Sequence, residues 1–291
     1  VRIRVEATTV NFADILVCQG IYQDRPGVPL TPGTESCGII QAAGPGVDLA
    51  IGTRVAGMTN MKHGGFAEEA LVKAATALVM SDDLEAADAT VLYSTFQTAH
   101  VGLFHRCNLE AGDWVVILGA SSGVGAAAVQ LATARGARVI ATAGGEAKRA
   151  HCRTLGAEIT VDSTGDGAAD ALYEAAMQAT DGAGVNVAFD PVGGPLGEVT
   201  RRLMGFEGQL VVIGFTSGSI PSYPANHVLV KNYTVHGMAW AEYAARRRSV
   251  IETAHVDLLD LFRQGRIRTD VDTIALDALP AALAALEART V

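Results

Sequence analysis

The segment Gly119-Ala-Ser-Ser-Gly-Val-Gly125 is where residue type and spacing point most directly to chemistry. Glycines let a backbone approach a diphosphate closely, and the amide hydrogens and positive dipole at a helix start attract its anionic oxygens. The flanks suit such a turn. Residues 115–118 are a short apolar run expected of a strand covered on both faces, and Ala126-Ala-Ala-Val-Gln-Leu-Ala132 favours helix. Ser122, Gly123, Val124 and Gly125 are therefore the candidate cradle. Alone, such a turn is a weak signal, because many α/β chains join strand to helix this way.

The elements that must position the turn strengthen the signal. Downstream, strands are expected at 138–142, 158–161, 185–190 and 209–213, alternating with helices at 146–155, 168–180 and 196–204. Such alternation predicts an α/β fold with a doubly wound parallel sheet of Rossmann type, which binds dinucleotides at the carboxyl ends of its strands. The Gly119 turn, Ala143-Gly144-Gly145, Asp190-Pro-Val-Gly-Gly194 and Gly214-Phe215-Thr216 all fall at those ends.

The end of the second strand bears on the choice of nucleotide. An NAD site usually holds the ribose hydroxyls with a carboxylate about 20 residues beyond the glycine turn. Here the strand ends in Thr142-Ala143-Gly144-Gly145, with Lys148 and Arg149 following. A 2′-phosphate would meet little repulsion and could pair with Lys148, which favours NADPH. Glu146 weakens that argument, and Lys148 and Arg149 also read as an ordinary solvated helix face.

Bulk properties agree with a small-molecule enzyme. The 291 residues, 49% hydrophobic, suffice for two domains with sizeable cores. A net charge of -9 argues against nucleic-acid or anionic-membrane partners. The most apolar stretch, 115–134, is broken by Gly, Ser and Gln, and the opening Val1-Arg-Ile-Arg-Val-Glu6 alternates like a strand without a signal peptide's apolar core, so a cytoplasmic protein is expected. Cys18, Cys37, Cys107 and Cys152 are scattered and read as reduced, isolated thiols, and no Cys, His or carboxylate cluster has zinc-ligand spacing. His63, beside Gly64-Gly65, is the histidine nearest to a functional context, although a lone loop histidine is more often structural.

Residues 1–80 follow a different pattern. Strand-like runs at 1–7, 38–42, 54–56 and 66–72, divided by Pro and Gly turns, predict a curled sheet or partial barrel with a short helix at 11–19 inserted in it. After residue 213, the pattern predicts a helix at 243–264, a strand near 270–274 and a last helix at 279–288, a tail able to return to the first domain.

Six dispersed motifs, in order, carry a resemblance: Asn11-Phe-Ala-Asp14, Pro32-Gly33-Thr-Glu35-x-x-Gly38, Gly64-Gly65-Phe-Ala-Glu68, Ser122-Gly-Val-Gly125, Asp190-Pro-Val-Gly-Gly194 and Lys231-Asn232. Together they resemble the zinc-independent quinone oxidoreductase branch of the medium-chain dehydrogenase/reductase superfamily over nearly the whole chain. Zinc-using relatives place a Cys ligand near the position of Asn11 to Asp14 and a His beside the motif Glu. This chain has no Cys in the first place and Thr34 in the second, so no metal is expected.

The resemblance implies a β-rich, GroES-like catalytic domain (1–97 and 236–291) split around an NADP-binding Rossmann domain (98–235), usually in a homodimer. It implies an NADPH-dependent reductase of quinones or enones. Asn11 and Tyr22 would face substrate and nicotinamide, Thr95 and Thr98 would approach the cofactor, residues 122–124 would cradle the diphosphate, Lys148 would meet the 2′-phosphate, and Phe215 and Asn232 would lie along the nicotinamide. Two departures bear on this: relatives often carry a Tyr near Ser163, and many have Gly where this chain has Ser122. Asn11 reads equally as a helix cap, and Tyr22 reads slightly better as a half-buried ring with its hydroxyl in water. Two other functions stay open at this point, an enoyl reductase of 2-alkenals or acyl thioesters and a non-enzymatic NADPH-binding structural or regulatory protein.

Overall fold

The computed structural model describes residues 1–22 and 27–290. The chain divides into two compact units: Val1–Ser94 with Ala244–Arg248 and Thr269–Val291, and Thr95–Tyr243 with Ser249–Arg268.

The first unit is built on β1 (Arg2–Thr8), α1 (Phe12–Cys18), β2 (Glu35–Ala42), β3 (Arg54–Met58), β4 (Glu69–Leu71), β5 (Leu78–Val79) and α2 (Ala86–Val91). Its strands form one antiparallel sheet in the order β4-β1-β2-β3-β5. Ile3, Ile40, Val55 and Ala70, one apolar position from each of four strands, form a buried cluster with Val72, just beyond β4. Each of Ile3, Ile40, Val55 and Val72, fully buried, contributes roughly 1.5–3 kcal/mol. The strand expected at 66–72 is confined to 69–71, because the Gly64-Gly65 corner packs against Pro32 and Gly33 instead of extending.

The second unit starts with a helical run in which α3 (Gln97–His100) lies between two wide π-type turns, Leu92–Phe96 and Val101–Arg106, the first of which straddles the division between the units. The sequence pattern does not announce this run, and such wide turns recur at functional sites. Then come β6 (Trp114–Ile117), α4 (Gly123–Ala134), β7 (Arg138–Ala143), α5 (Gly145–Thr154), β8 (Ile159–Asp162), α6 (Ala168–Ala179), β9 (Val185–Asp190), α7 (Gly194–Leu203), β10 (Met204–Val212), α8 (Ala225–Lys231) and β11 (Thr234–Gly237). All six strands are parallel, in the order β11-β10-β9-β6-β7-β8. The winding reverses between β6 and β9, the switch point at which open α/β sheets bind ligands. Val116, Leu118, Ile140, Ala188 and Leu210 are fully or almost fully buried, as strands covered on both faces require.

The expected helix at 243–264 is two helices, α9 (Trp240–Arg246) and α10 (Arg248–Arg263). The break falls within three consecutive arginines, where Arg248 turns to donate to the Ala75 and Ala77 carbonyl oxygens. Most of α10 belongs to the second unit, where Ile251, Ala254, Leu258 and Leu261 are buried. No strand forms at 270–274, a segment with exposed Val271 and Ile274, and α11 (Leu279–Glu287) is the last element.

Candidate functional site

The cradle in the second unit is assembled by backbone hydrogen bonds. Leu118 N–H donates to Phe189 O (3.0 Å), Gly119 N–H to Thr142 Oγ1 (3.1 Å) and Ala120 N–H to Thr142 O (2.8 Å), so the turn after β6 is fastened to the ends of β9 and β7. Gly119 has φ 57°, and a side chain there would press on Val192 Cγ2 at 2.9 Å. Ser122 (φ -76°, ψ 164°) is extended rather than left-handed, so serine costs the turn nothing where relatives have glycine. Its hydroxyl donates to Gly119 O (2.7 Å) and accepts Gly125 N–H (3.3 Å), capping α4. With Gly125 N–H used, the Gly123 and Val124 N–H groups lie in the first turn, beyond reach of an intrahelical carbonyl, and Ser122 and Gly123 are exposed. Such a helix start is suited to an anion.

Thr95 touches this turn, and other predicted residues follow the carboxyl ends of neighbouring strands. Thr95, buried at the start of the second unit, places Cγ2 3.5 Å from where a side chain on Gly123 would begin, and Thr98 follows on α3, half-buried. Phe215, in the loop after β10, lies 3.2 Å from the corresponding point on Gly193, after β9. Gly144 is the N-cap of α5, where a side chain would begin 3.2 Å from Thr164 Cγ2 and 3.7 Å from Ser163 Oγ, and Lys148 is half-buried on α5. Asn232 is not brought there. It stands in left-handed conformation (φ 53°) at the end of α8, before β11 begins, and its carbonyl accepts Glu207 N–H (2.9 Å). That is the amino end of a parallel sheet whose ligands bind at the carboxyl ends, so Asn232 is corrected to a structural cap.

Sequence reasoning misses Thr142 and Asp190 as supports of the cradle. The Asp190 carboxylate, buried at the end of β9, accepts Val192 N–H (2.8 Å) and Gly193 N–H (2.7 Å) and so shapes the next loop, while burial raises its pKa. The signal available was an Asp at a strand end followed by Pro-Val-Gly-Gly.

In the first unit, Asn11 caps α1, with Asp14 Oδ2 accepting the Asn11 N–H (2.8 Å) in a capping box. The Asn11 amide group donates to Glu35 Oε1 (2.6 Å) and Thr9 Oγ1 (3.1 Å). Thr34 Oγ1 donates to Glu35 Oε2 (2.7 Å), Thr9 Oγ1 also donates to Glu35, and Thr34 N–H donates to Asp14 Oδ1 (3.1 Å). Asp14 and Glu35 form a buried carboxylate pair foreshadowed only by the local motifs. Tyr22, half-buried, closes the end of α1 through its N–H to Leu16 O (3.1 Å). Among the described residues, no three His, Cys, Asp or Glu side chains converge as metal ligands, and burial pushes the Cys37 and Cys107 thiols up to about 12.

Burial and then the Glu35 charge raise the Asp14 carboxyl from 3.8 to about 7, against the pull of the Asn11, Thr34 and Gly33 N–H groups. A folded-state pKa above the unfolded one adds stability that is complete below pH 3.8 and is lost as pH rises through about 7. Asp14→Asn loses one of two N–H acceptors at every pH but also loses this slope. The wild-type melting temperature should therefore fall by about 3 °C or more relative to the variant between pH 5 and pH 8. Parallel melting curves would refute the assignment.

Residues 123–255 match the zinc-binding dehydrogenase family and residues 1–82 the alcohol dehydrogenase GroES-like domain. A quinone oxidoreductase-like protein 2 homolog of Nematostella vectensis is 34% identical over 270 residues, 92% of this chain and 72% of the relative. The quinone oxidoreductase of Pseudomonas syringae pv. Tomato DC3000 superposes with a TM-score of 0.89 at 26% identity, covering 100% of this chain and 88% of that one. The quinone oxidoreductase from Thermus thermophilus, solved also with NADPH, gives 0.82 at 29% identity with the same coverages. No helix among the described residues is long and apolar enough to cross a membrane.

Proposed function

We propose a function for a chain that belongs to the zinc-independent quinone oxidoreductase branch of the medium-chain dehydrogenase/reductase superfamily: an NADPH-dependent oxidoreductase that passes hydride to a quinone or an α,β-unsaturated carbonyl without a metal. The observation that carries this reading is the start of α4, where Gly123 is exposed beside Thr95 and the first-turn amides of Gly123 and Val124 lie beyond reach of an intrahelical carbonyl. The donor set fits a nicotinamide nucleotide. Gly123 and Val124 would hold its diphosphate, Thr95 and Thr98 would line its approach, Phe215 would border the nicotinamide side, and Gly144 and Lys148 would receive the adenosine 2′-phosphate.

When bound, NADPH supplies the hydride. The chain's own residues must orient the acceptor, exclude water and stabilise the oxyanion that develops on its carbonyl. Asn11 is assigned as donor to that oxygen and Tyr22 as a wall or second donor. The bond from Asn11 to the Glu35 carboxylate (2.6 Å) fixes the amide, and the second amide N–H, spent on Thr9 at 3.1 Å, is the weaker contact and the one an acceptor would have to take from Thr9. The family reading also carries a homodimer; β11 lies at an edge of its sheet, where a second copy could pair.

The test is NADPH oxidation across 9,10-phenanthrenequinone, 1,4-benzoquinone, 2-alkenals and enoyl thioesters, with NADH alongside. Quinone or enone turnover supports the proposal, turnover confined to thioesters selects an acyl reductase, and NADPH binding without any turnover selects a non-enzymatic role. Lys148→Ala should weaken NADPH about tenfold and spare NADH, the scale of one charge on a phosphate. Equal losses for both nucleotides would remove Lys148 from the 2′-phosphate site.

A further inference from the structure

The carboxyl end of β7 and the first turns of α5 carry more charge than a simple phosphate site needs. Glu146, at the start of α5, lies about 20 residues beyond Gly125, where a dinucleotide fold places either a carboxylate for the ribose hydroxyls or a cation for a 2′-phosphate. Its carboxylate turns along its own helix, with Oε2 3.0 Å from the Arg149 guanidinium and Oε1 on Arg153. Arg149 also reaches Asp162 Oδ2, at the end of β8, at 3.5 Å. Asp162 Oδ1 is occupied by Thr164 N–H (3.0 Å) and Thr164 Oγ1 (2.7 Å), and those hydrogen bonds hold Asp162 below its usual pKa and keep it charged. Arg149 Nε is buried and makes no hydrogen bond, so this guanidinium is fixed between two carboxylates yet retains an unused donor.

The two possible jobs of Glu146 make opposite demands. As a ribose ligand it would favour NADH, but its oxygens already lie against two arginines. As a neighbour of a 2′-phosphate it is a competing anion of like sign. We propose that Glu146 sets the nucleotide preference of this chain: it holds Arg149 and Arg153 until a 2′-phosphate displaces it, and so narrows the margin by which NADPH binds better than NADH. This inference rests on the NADPH reading above and assigns Arg149, beside Lys148, as a second cation for the phosphate. Nucleotides differing only at the 2′ position separate it from a structural role, because damage to α5 weakens both alike.

The experiment is equilibrium fluorescence titration of NADPH and NADH against the wild type, Glu146→Gln and Arg149→Gln, with no acceptor present. Glu146→Gln should tighten NADPH about fivefold and leave NADH within about twofold, the scale of one partly exposed charge acting on a phosphate dianion. Arg149→Gln should do the reverse, weakening NADPH about tenfold at nearly constant NADH affinity. An unchanged NADPH-to-NADH ratio in Glu146→Gln overturns the proposal. So does a selective loss of NADH binding, which would make Glu146 a ribose ligand. Failure of the wild type to bind either nucleotide is a separate outcome that removes the parent reading and this one together.

Discussion

Gly125→Ala should weaken NADPH binding at least about 100-fold and destabilise the nucleotide-binding unit by about 2 kcal/mol, the cost of forcing atoms into a packed site. A methyl group on Gly125 would overlap the Gly119 carbonyl oxygen and stand 2.8 Å from Ala120 Cα and 2.9 Å from the Gly119 carbonyl carbon. These are backbone atoms of the diphosphate turn, and they have little room to yield because Gly119 and Ala120 are tied to Thr142. Alanine's better helix propensity returns only about 1 kcal/mol. Gly123→Ala is the control, since its methyl would meet only Thr95 Cγ2 at an ordinary 3.5 Å and the variant should fold like the wild type. Melting temperature and NADPH titration of both variants decide the matter. Wild-type affinity in Gly125→Ala would mean that the nucleotide does not use this turn.

Asn11→Ala should lower kcat by about 100- to 1000-fold, the loss expected for one oxyanion donor worth about 2.7–4 kcal/mol, with NADPH affinity within about twofold of wild type. The alanine variant also removes a helix cap, worth about 1 kcal/mol of stability, and deprives the buried Glu35 carboxylate of its amide donor. Asn11→Ser separates these effects, because serine caps a helix about as well as asparagine but has no amide to offer an acceptor. Its melting temperature should lie closer to wild type than that of the alanine variant, with turnover as poor. If Asn11→Ser turns over at the wild-type rate, Asn11 is a cap and nothing more.

What can be read from the sequence follows from burial. The strands of the parallel sheet are continuous apolar runs because both faces are covered, so the limits expected for β9, 185–190, are the observed ones. The glycine turn and the start of α1 are readable because they depend on local chemistry, a backbone approach and a cap. Features made by distant contacts are not. The pairing of Asp14 with Glu35 needs α1 and β2 folded together, and Thr142 supports the Gly119 turn from a different strand. Asn232 misleads because a motif position says nothing about which end of a strand it occupies. The 243–264 helix breaks at Arg247, beside an Arg248 side chain whose carbonyl partners lie far away in sequence, which no periodicity announces.

Two backbone amides are assigned to the diphosphate, and they can be observed individually. In ¹H–¹⁵N spectra of the labelled chain titrated with NADPH, the Gly123 and Val124 amide resonances should shift downfield as the diphosphate binds and rank among the most perturbed in the molecule. If both resonances stay in place at saturating NADPH while others move, the nucleotide is held elsewhere and the start of α4 is not its diphosphate site.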